Sequence, residues 1–199
     1  MSYKQDKESI RTFSGGKVVY KDMSQSEYTM RDITEGLASE CRYAGQTKVK
    51  WNVLRHSLLV WELSYLCQDN PIIQLAALMH DAAEAFIKDI PSPLKSLLPD
   101  YKAVEKKVEH HIWETVVLYR LPMELKQFIR NNEFYINSAV KGYDCCAFGR
   151  ELPCLFEGKS DPLITPLLNE DERTLIDRFE TKFEQLIREC IEYEEISQG

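Results

Sequence analysis

The sequence predicts an all-α protein with at most one small N-terminal β-hairpin. Three observations predict it. Apolar residues recur at three and four positions along most of the chain, cap residues punctuate those stretches, and Gly and Pro number only 8 each in 199 residues. A chain of this length fills one domain and buries a core without staples. Hydrophobic residues at 44% and charged residues at 29% exclude collagen-like, low-complexity and largely disordered classes. No repeat or linker-length stretch divides the chain, so residues 1–199 read as one domain.

Taken in order, residues 11–22, RTFSGGKVVYKD, set a Ser-Gly-Gly turn among β-branched and aromatic neighbours and predict the hairpin. Met30, Ile33, Leu37 and Cys41 then mark a first helix, with Gly45 as its stop. Leu54, Leu58, Trp61 and Tyr65 mark a second across 52–67. Asn70 and Pro71 are a cap and first-turn pair for a third, which runs through Leu75, Met79 and Phe86. The segment DIPSPLKSLLPD (89–100) has three prolines and predicts a rigid loop with one helical turn at its centre. Asp100 caps a fourth helix carrying Val104, Val108 and Ile112, Pro122 opens a fifth, and a sixth covers 133–149. Residues Leu152 to Leu168, again with three prolines, predict a surface loop. The last helix, about 169–194, starts at Asn169, which has capping-box spacing to Glu172. Its buried stripe is Leu175, Phe179, Phe183, Leu186 and Cys190.

Charge narrows the function. Against 25 Lys+Arg stand 32 Asp+Glu, a formal net of −7. That field disfavours long nucleic acid and anionic lipid as partners, while a local cation cluster still admits a small anionic substrate. No apolar run approaches the roughly 18 residues of a membrane helix. Met1 to Ile10 is polar and lacks a signal-peptide core, so the cytoplasm is the expected compartment. The six cysteines (Cys41, Cys67, Cys145, Cys146, Cys154, Cys190) contain no C-x-x-C pair. They read mostly as small buried hydrophobes, with neither disulfide nor cysteine-bound metal expected.

Chemistry concentrates in LMHDAAEAF. His80 and Asp81 point about 100° apart on a helix, yet both reach an ion lying over the groove between them. Glu84 follows one turn on, on the same face. The bland alternative is a polar patch where a helix surfaces. The apolar run Leu75 to Met79 argues against it, because burying an unpaired Asp is costly and a metal relieves that cost. His56, beside Leu54 and Leu58, reads by itself as a core residue. Asp144, with Lys141 at i−3, reads by itself as a surface ion pair. His110 and His111 are adjacent on the fourth helix and are expected to be solvated.

His56, then His80-Asp81 with Glu84 in HDAAEA, then Asp144 in VKGYD, resemble the H…HD…D signature of HD-domain metal-dependent phosphohydrolases. The continuation through IKDIPSPLKSLLPDYK is similar to the small 5′-deoxynucleotidase-like branch, which includes prophage proteins and phage dATP triphosphohydrolases. The likeness covers residues 12–150, with a motif core at 26–150. It implies His56, His80, Asp81 and Asp144 as ligands of one divalent metal ion (Mn, Co, Zn, Fe or Mg), with Glu84, His80 and Asp81 as the catalytic group; Glu84 either orients the attacking water or passes a proton to the leaving oxygen, the alternative being that it only steers a histidine. That mixed N/O set suits a first-row metal with open positions, which acidifies water and polarises phosphorus.

The resemblance also implies substrate contacts. Arg42 in CRYAG matches an arginine that touches phosphate, and Tyr43 an aromatic packing near the sugar. Asp89 matches an acid that accepts from the 3′-hydroxyl of a deoxyribose, and Lys95 and Lys141 match cations facing phosphates. Gly45 stands roughly where dATP-selective relatives carry a bulkier residue. The leading expectation is a dATP triphosphohydrolase, releasing deoxyadenosine and triphosphate and so purging dATP, as suits phages that replace adenine by diaminopurine. Alternatives are a 5′-deoxynucleotidase acting on monophosphates, a non-hydrolysing nucleotide-binding regulator, and a helical assembly protein with a structural polar cluster. A homo-oligomer such as a hexameric ring is implied, in the host cytoplasm if the chain is phage-encoded.

Overall fold

The computed structural model describes residues 8–198. Strands β1 (Ser9–Arg11) and β2 (Lys17–Val19) pair antiparallel, Ile10 opposite Val18, and form the hairpin that the Ser-Gly-Gly turn predicts. Helices follow: α1 (Met30–Ser39), α2 (Val53–Leu66), α3 (Pro71–Met79), the single turns α4 (Glu84–Ile87) and α5 (Ser92–Lys95), and α6 (Pro99–Ile112). Then come α7 (Met123–Asn131), the long α8 (Glu133–Glu157), α9 (Ile164–Asn169) and α10 (Glu172–Gln198). The protein is all-α apart from the hairpin, and among the described residues no helix is long and apolar enough to cross a membrane.

The central helix is α2, which packs against α1, α3, α8, α9 and α10. Asn52 caps it by accepting from the Arg55 N–H, and its own amide donates to the Ala38 carbonyl at 2.8 Å, tying the start of α2 to the end of α1. Asn70 caps α3, with Pro71 in its first turn, as the sequence predicts. Eight of the nine α3 residues are buried, Pro71 excepted, so α3 delivers whatever follows it into the interior. The stripe of α10, Leu175 through Cys190, is fully buried as predicted and covers α3. Asp32 completes a capping box with Thr29 and also accepts from the Ser14 backbone and hydroxyl at 2.6 and 2.8 Å, which fastens the hairpin turn to α1.

Several boundaries differ from expectation. The first helix ends at Ser39, not near Gly45, because Glu40 turns extended and Cys41 forms a bridge with Asn52. The third helix does not continue to Phe86. It breaks at His80 into a tight turn, where Ala82 N–H reaches the Met79 carbonyl and Glu84 N–H the Asp81 carbonyl. Pro99, not Asp100, opens α6, since its missing N–H is an orphan at a helix start in any case.

The sixth helix extends to Glu157, through Pro153, so residues 152–168 are not a surface loop. A proline inside a helix costs about 3 kcal/mol, but Leu155 is fully buried and Cys154 nearly so. Burying a leucine alone returns about 1.5–3 kcal/mol. Gly158 then closes α8 in the left-handed conformation. Ile164 and Leu167 of α9 are also fully buried. Asn169 ends α9, and the cap of α10 is Asp171, which accepts from the Thr174 N–H at 3.0 Å. The cysteines are not mostly buried: Cys154 and Cys190 are, whereas Cys67, Cys145 and Cys146 are exposed.

One close approach sets the position of Glu84. A Cβ added at Gly36 on α1 would lie 2.7 Å from both the Cβ and the carbonyl oxygen of Ala85, so α1 and α4 meet backbone to backbone. Gly36→Ala should destabilise the protein by about 1–3 kcal/mol, read from a urea midpoint. It should also lower any activity that depends on Glu84, by moving its backbone. An unchanged midpoint would show that α4 yields freely.

Candidate metal centre

Two elements bring three side chains to one point, and a third sets Asp144 against one of them. His56 lies mid-way along α2 and is fully buried. His80 and Asp81 occupy the turn that ends α3, and Asp144 faces them from α8. The Nε2 atoms of His56 and His80 are 3.3 Å apart. Asp81 Oδ2 lies 3.0 Å from His80 Nε2 and 3.6 Å from His56 Nε2, and Asp144 Oδ1 lies 3.3 Å from His56 Nε2. His56, His80 and Asp81 each offer a ligand atom within 4.8 Å of the others.

The outer ring nitrogens decide which atoms face inward. His56 Nδ1 lies 2.6 Å from a Glu151 oxygen, and His80 Nδ1 lies 2.9 Å from the Ala77 carbonyl oxygen. A carbonyl and a carboxylate only accept, so both Nδ1 atoms carry the proton. The two Nε2 atoms then face each other beside two carboxylates. Such a cluster demands a cation or an extra proton at its centre. Without a cation, burial alone would lower the His56 pKa, but Glu151 and Asp144 outweigh it and hold it above its usual value. Burial is likewise outweighed at Asp81, where His80, His56 and Arg42 keep the carboxylate well below its usual range. At Asp144, His56 and Lys141 do the same.

Glu84 is buried beside this cluster, and its Oε2 has no hydrogen-bond partner in the protein. Burial, reinforced by Asp81 and Asp89, pushes its carboxyl up to about 10. Two imidazole nitrogens, two carboxylates and an orphaned buried oxygen form a donor set suited to a divalent first-row cation rather than to a closed thiolate site.

Of the residues expected to touch substrate, Arg42 and Tyr43 lie at the centre's edge in a short 3-10 turn, Arg42–Gly45. The Arg42 guanidinium sits 3.4 Å from Asp81 and 3.5 Å from Glu151. Its charge also acts on Asp89, whose carboxyl is raised chiefly by burial. Lys95 and Lys141 are already engaged, each 2.6 Å from a carboxylate, Glu105 and Asp144 respectively. His110 is exposed as expected. His111 is half-buried: its Nδ1 lies 2.6 Å from the Tyr28 hydroxyl, against whose ring it packs.

The sequence reading missed Glu151. It is fully buried on α8, where Oε1 accepts from His56 Nδ1 and from Trp51 Nε1 at 2.9 Å, and Oε2 accepts from the Tyr43 hydroxyl. The available signal was its spacing, seven residues after Asp144 and so two turns along the same face.

Residues 50–140, just under half of the chain, match the family described as 5′-deoxynucleotidase YfbR-like. That segment contains His56, His80, Asp81, Glu84, Asp89 and Lys95. Arg42, Tyr43, Asp144 and Glu151 fall outside it, so the match is narrower than the expected 12–150.

Among individual relatives, the chain is 40% identical over 113 residues to the uncharacterized protein YfdR of Escherichia coli, covering 57% of this chain and 59% of that one. It is 37% identical over 94 residues to an uncharacterized protein of Rhodobacter capsulatus, covering 44% and 47%. The matched segments thus span about half the length of these curated relatives.

Proposed function

We propose that this protein is a divalent-metal-dependent phosphohydrolase of 2′-deoxynucleotides that breaks the bond between the 5′-oxygen and the first phosphorus. The observation that carries the reading is the convergence of His56 Nε2, His80 Nε2 and Asp81 on one point, with Asp144 set against His56 and both Nδ1 atoms tied down elsewhere. A divalent ion held by these four supplies Lewis acidity toward a phosphoryl oxygen and an acidified water.

The chain's own groups do the rest. Glu84 takes the proton from the attacking water and delivers one to the departing 5′-oxygen. Arg42 exchanges its contact with Asp81 for the phosphate oxygens. Tyr43, whose ring meets those of Phe148 and Phe156, walls the sugar. Asp89 accepts from the 3′-hydroxyl. Water oxygen bonds to phosphorus, the 5′-oxygen leaves with a proton, and nucleoside and phosphate result.

Within this class, two observations favour monophosphates. The matched family is described as a 5′-deoxynucleotidase, and Lys95 and Lys141 are both neutralised by carboxylates, leaving little free positive charge for a long polyphosphate. The dATP triphosphohydrolase reading uses the same bond and rests on three cations, Arg42, Lys95 and Lys141, each releasing its carboxylate to a triphosphate.

Product analysis decides between them. Metal-stripped protein would be reloaded with Mn²⁺, Co²⁺, Mg²⁺ or Zn²⁺ and offered the dNMPs, the dNTPs and ATP, with products resolved by chromatography. Orthophosphate from dNMPs is the expected result, and triphosphate from dATP alone would establish the pool-purging reading. Silence with every metal would overturn both in favour of a nucleotide-binding module.

A further inference from the structure

We propose that Glu151 is a positioning residue that joins the two halves of the site, one carboxylate oxygen orienting His56 toward the metal and the other holding Arg42 and Tyr43 toward the nucleotide. The inference deepens the phosphohydrolase reading and rests on it for the nucleotide half alone. The division of labour is visible atom by atom. Oε1 takes the Nδ1–H of His56 at 2.6 Å and the indole N–H of Trp51 at 2.9 Å. Oε2 takes the Tyr43 hydroxyl and lies 3.5 Å from Arg42 Nε, which has no hydrogen-bond partner of its own.

A fully buried carboxylate is kept in a protein interior only when its lone pairs are filled and its charge is balanced. Here every partner except the core indole of Trp51 belongs to the centre or its edge. The Oε1 side sets a tautomer. Histidine in water prefers its proton on Nε2, and an acceptor at Nδ1 reverses that preference and frees Nε2 for the cation, while the negative charge makes the ring a stronger donor.

The Oε2 side restrains a strained segment. Tyr43 and Ala44 both stand in the left-handed region, at φ 57° and 50°, where side-chain-bearing residues are disfavoured. A hydrogen bond from the Tyr43 hydroxyl to a buried, rigid acceptor keeps that turn in place. Because α8 carries both Asp144 and Glu151, the metal ligand and this brace move as one body.

The test uses the full chain without turnover as its main readout. In folded, metal-free protein at a pH where the imidazole is neutral, histidine ¹⁵N shifts should report His56 as the Nδ1–H tautomer, and the Nε2–H form would overturn the proposal. Glu151→Gln should weaken Mn²⁺ or Co²⁺ binding, measured by calorimetry, about 10–100-fold and also weaken dAMP binding. Tyr43→Phe should weaken dAMP binding with metal affinity unchanged. Metal affinity equal to wild type in folded Glu151→Gln, with only a lower melting temperature, would reduce Glu151 to a structural role. If Glu151→Gln fails to fold, the wild-type tautomer and the Tyr43→Phe pattern decide. A wild-type protein that binds metal with the expected tautomer yet hydrolyses no deoxynucleotide would sink the phosphohydrolase reading and leave the metal half of this one standing.

Discussion

Glu84→Gln should cut deoxynucleotide turnover by about 10²–10⁴-fold, the range for a lost general acid or base, while metal and nucleotide still bind. The substitution keeps the shape of a buried side chain and removes only its ability to exchange a proton. A second signature separates this role from a packing role. In the metal-free protein, burial and the nearby Asp81 and Asp89 raise the Glu84 pKa to about 10. A carboxyl raised in the fold holds its proton more tightly than in the unfolded chain, so stability drains away as pH rises from the unfolded value, about 4.3, toward 10. The metal-free Glu84→Gln protein has no such loss. It should melt above wild type at pH 8 and level with it at pH 4. Equal melting at both, or turnover within a factor of three of wild type, would remove Glu84 from the chemistry.

His56→Ala should lower the stability of the metal-free protein by about 3–5 kcal/mol, because it leaves the buried Glu151 charge without its imidazole partner. For a chain of this size that is a melting temperature about 6–20 °C lower. Adding Glu151→Gln should recover part of the loss, since a neutral amide tolerates the missing imidazole better than a carboxylate does. If the double variant melts lower still, the cost of His56→Ala lies in the cavity and not in the stranded charge. His56→Ala should also fail to retain metal through gel filtration.

What could be read in advance followed local signals. Asn70-Pro71, the Ser-Gly-Gly turn and the stripe from Leu175 to Cys190 all declare themselves within a few residues, because caps, turns and helical spacing are short-range physics. The errors fell where distant packing outweighed a local preference. Pro153 and the prolines after it suggest a loop, yet the burial of Leu155, Ile164 and Leu167 prolongs the helix and folds the following segment onto the core. Gly45 looks like a helix stop, but the Cys41–Asn52 bridge ends the helix earlier.

The site followed the same division. His80, Asp81 and Glu84 sit within five residues and are legible as a group. His56 and Asp144 become legible through resemblance, and their convergence is a property of three helices meeting. Glu151 has no neighbour in sequence to explain it, since its partners Tyr43, Trp51 and His56 lie about a hundred residues upstream.

The break in α3 has an electrostatic consequence of its own. Helix dipoles add along nine residues from Pro71 to Met79 and leave about half a negative charge at the carboxyl end, where His80 takes over and ties its ring to the Ala77 carbonyl. The backbone therefore biases that point toward cations before any side chain contributes. It would also repel a phosphate arriving unaccompanied along the axis of α3, whereas the Arg42 guanidinium offers such a group positive charge. Polarity of approach is thus written into the direction of a helix, and it would persist in variants that keep α3 but lose a ligand.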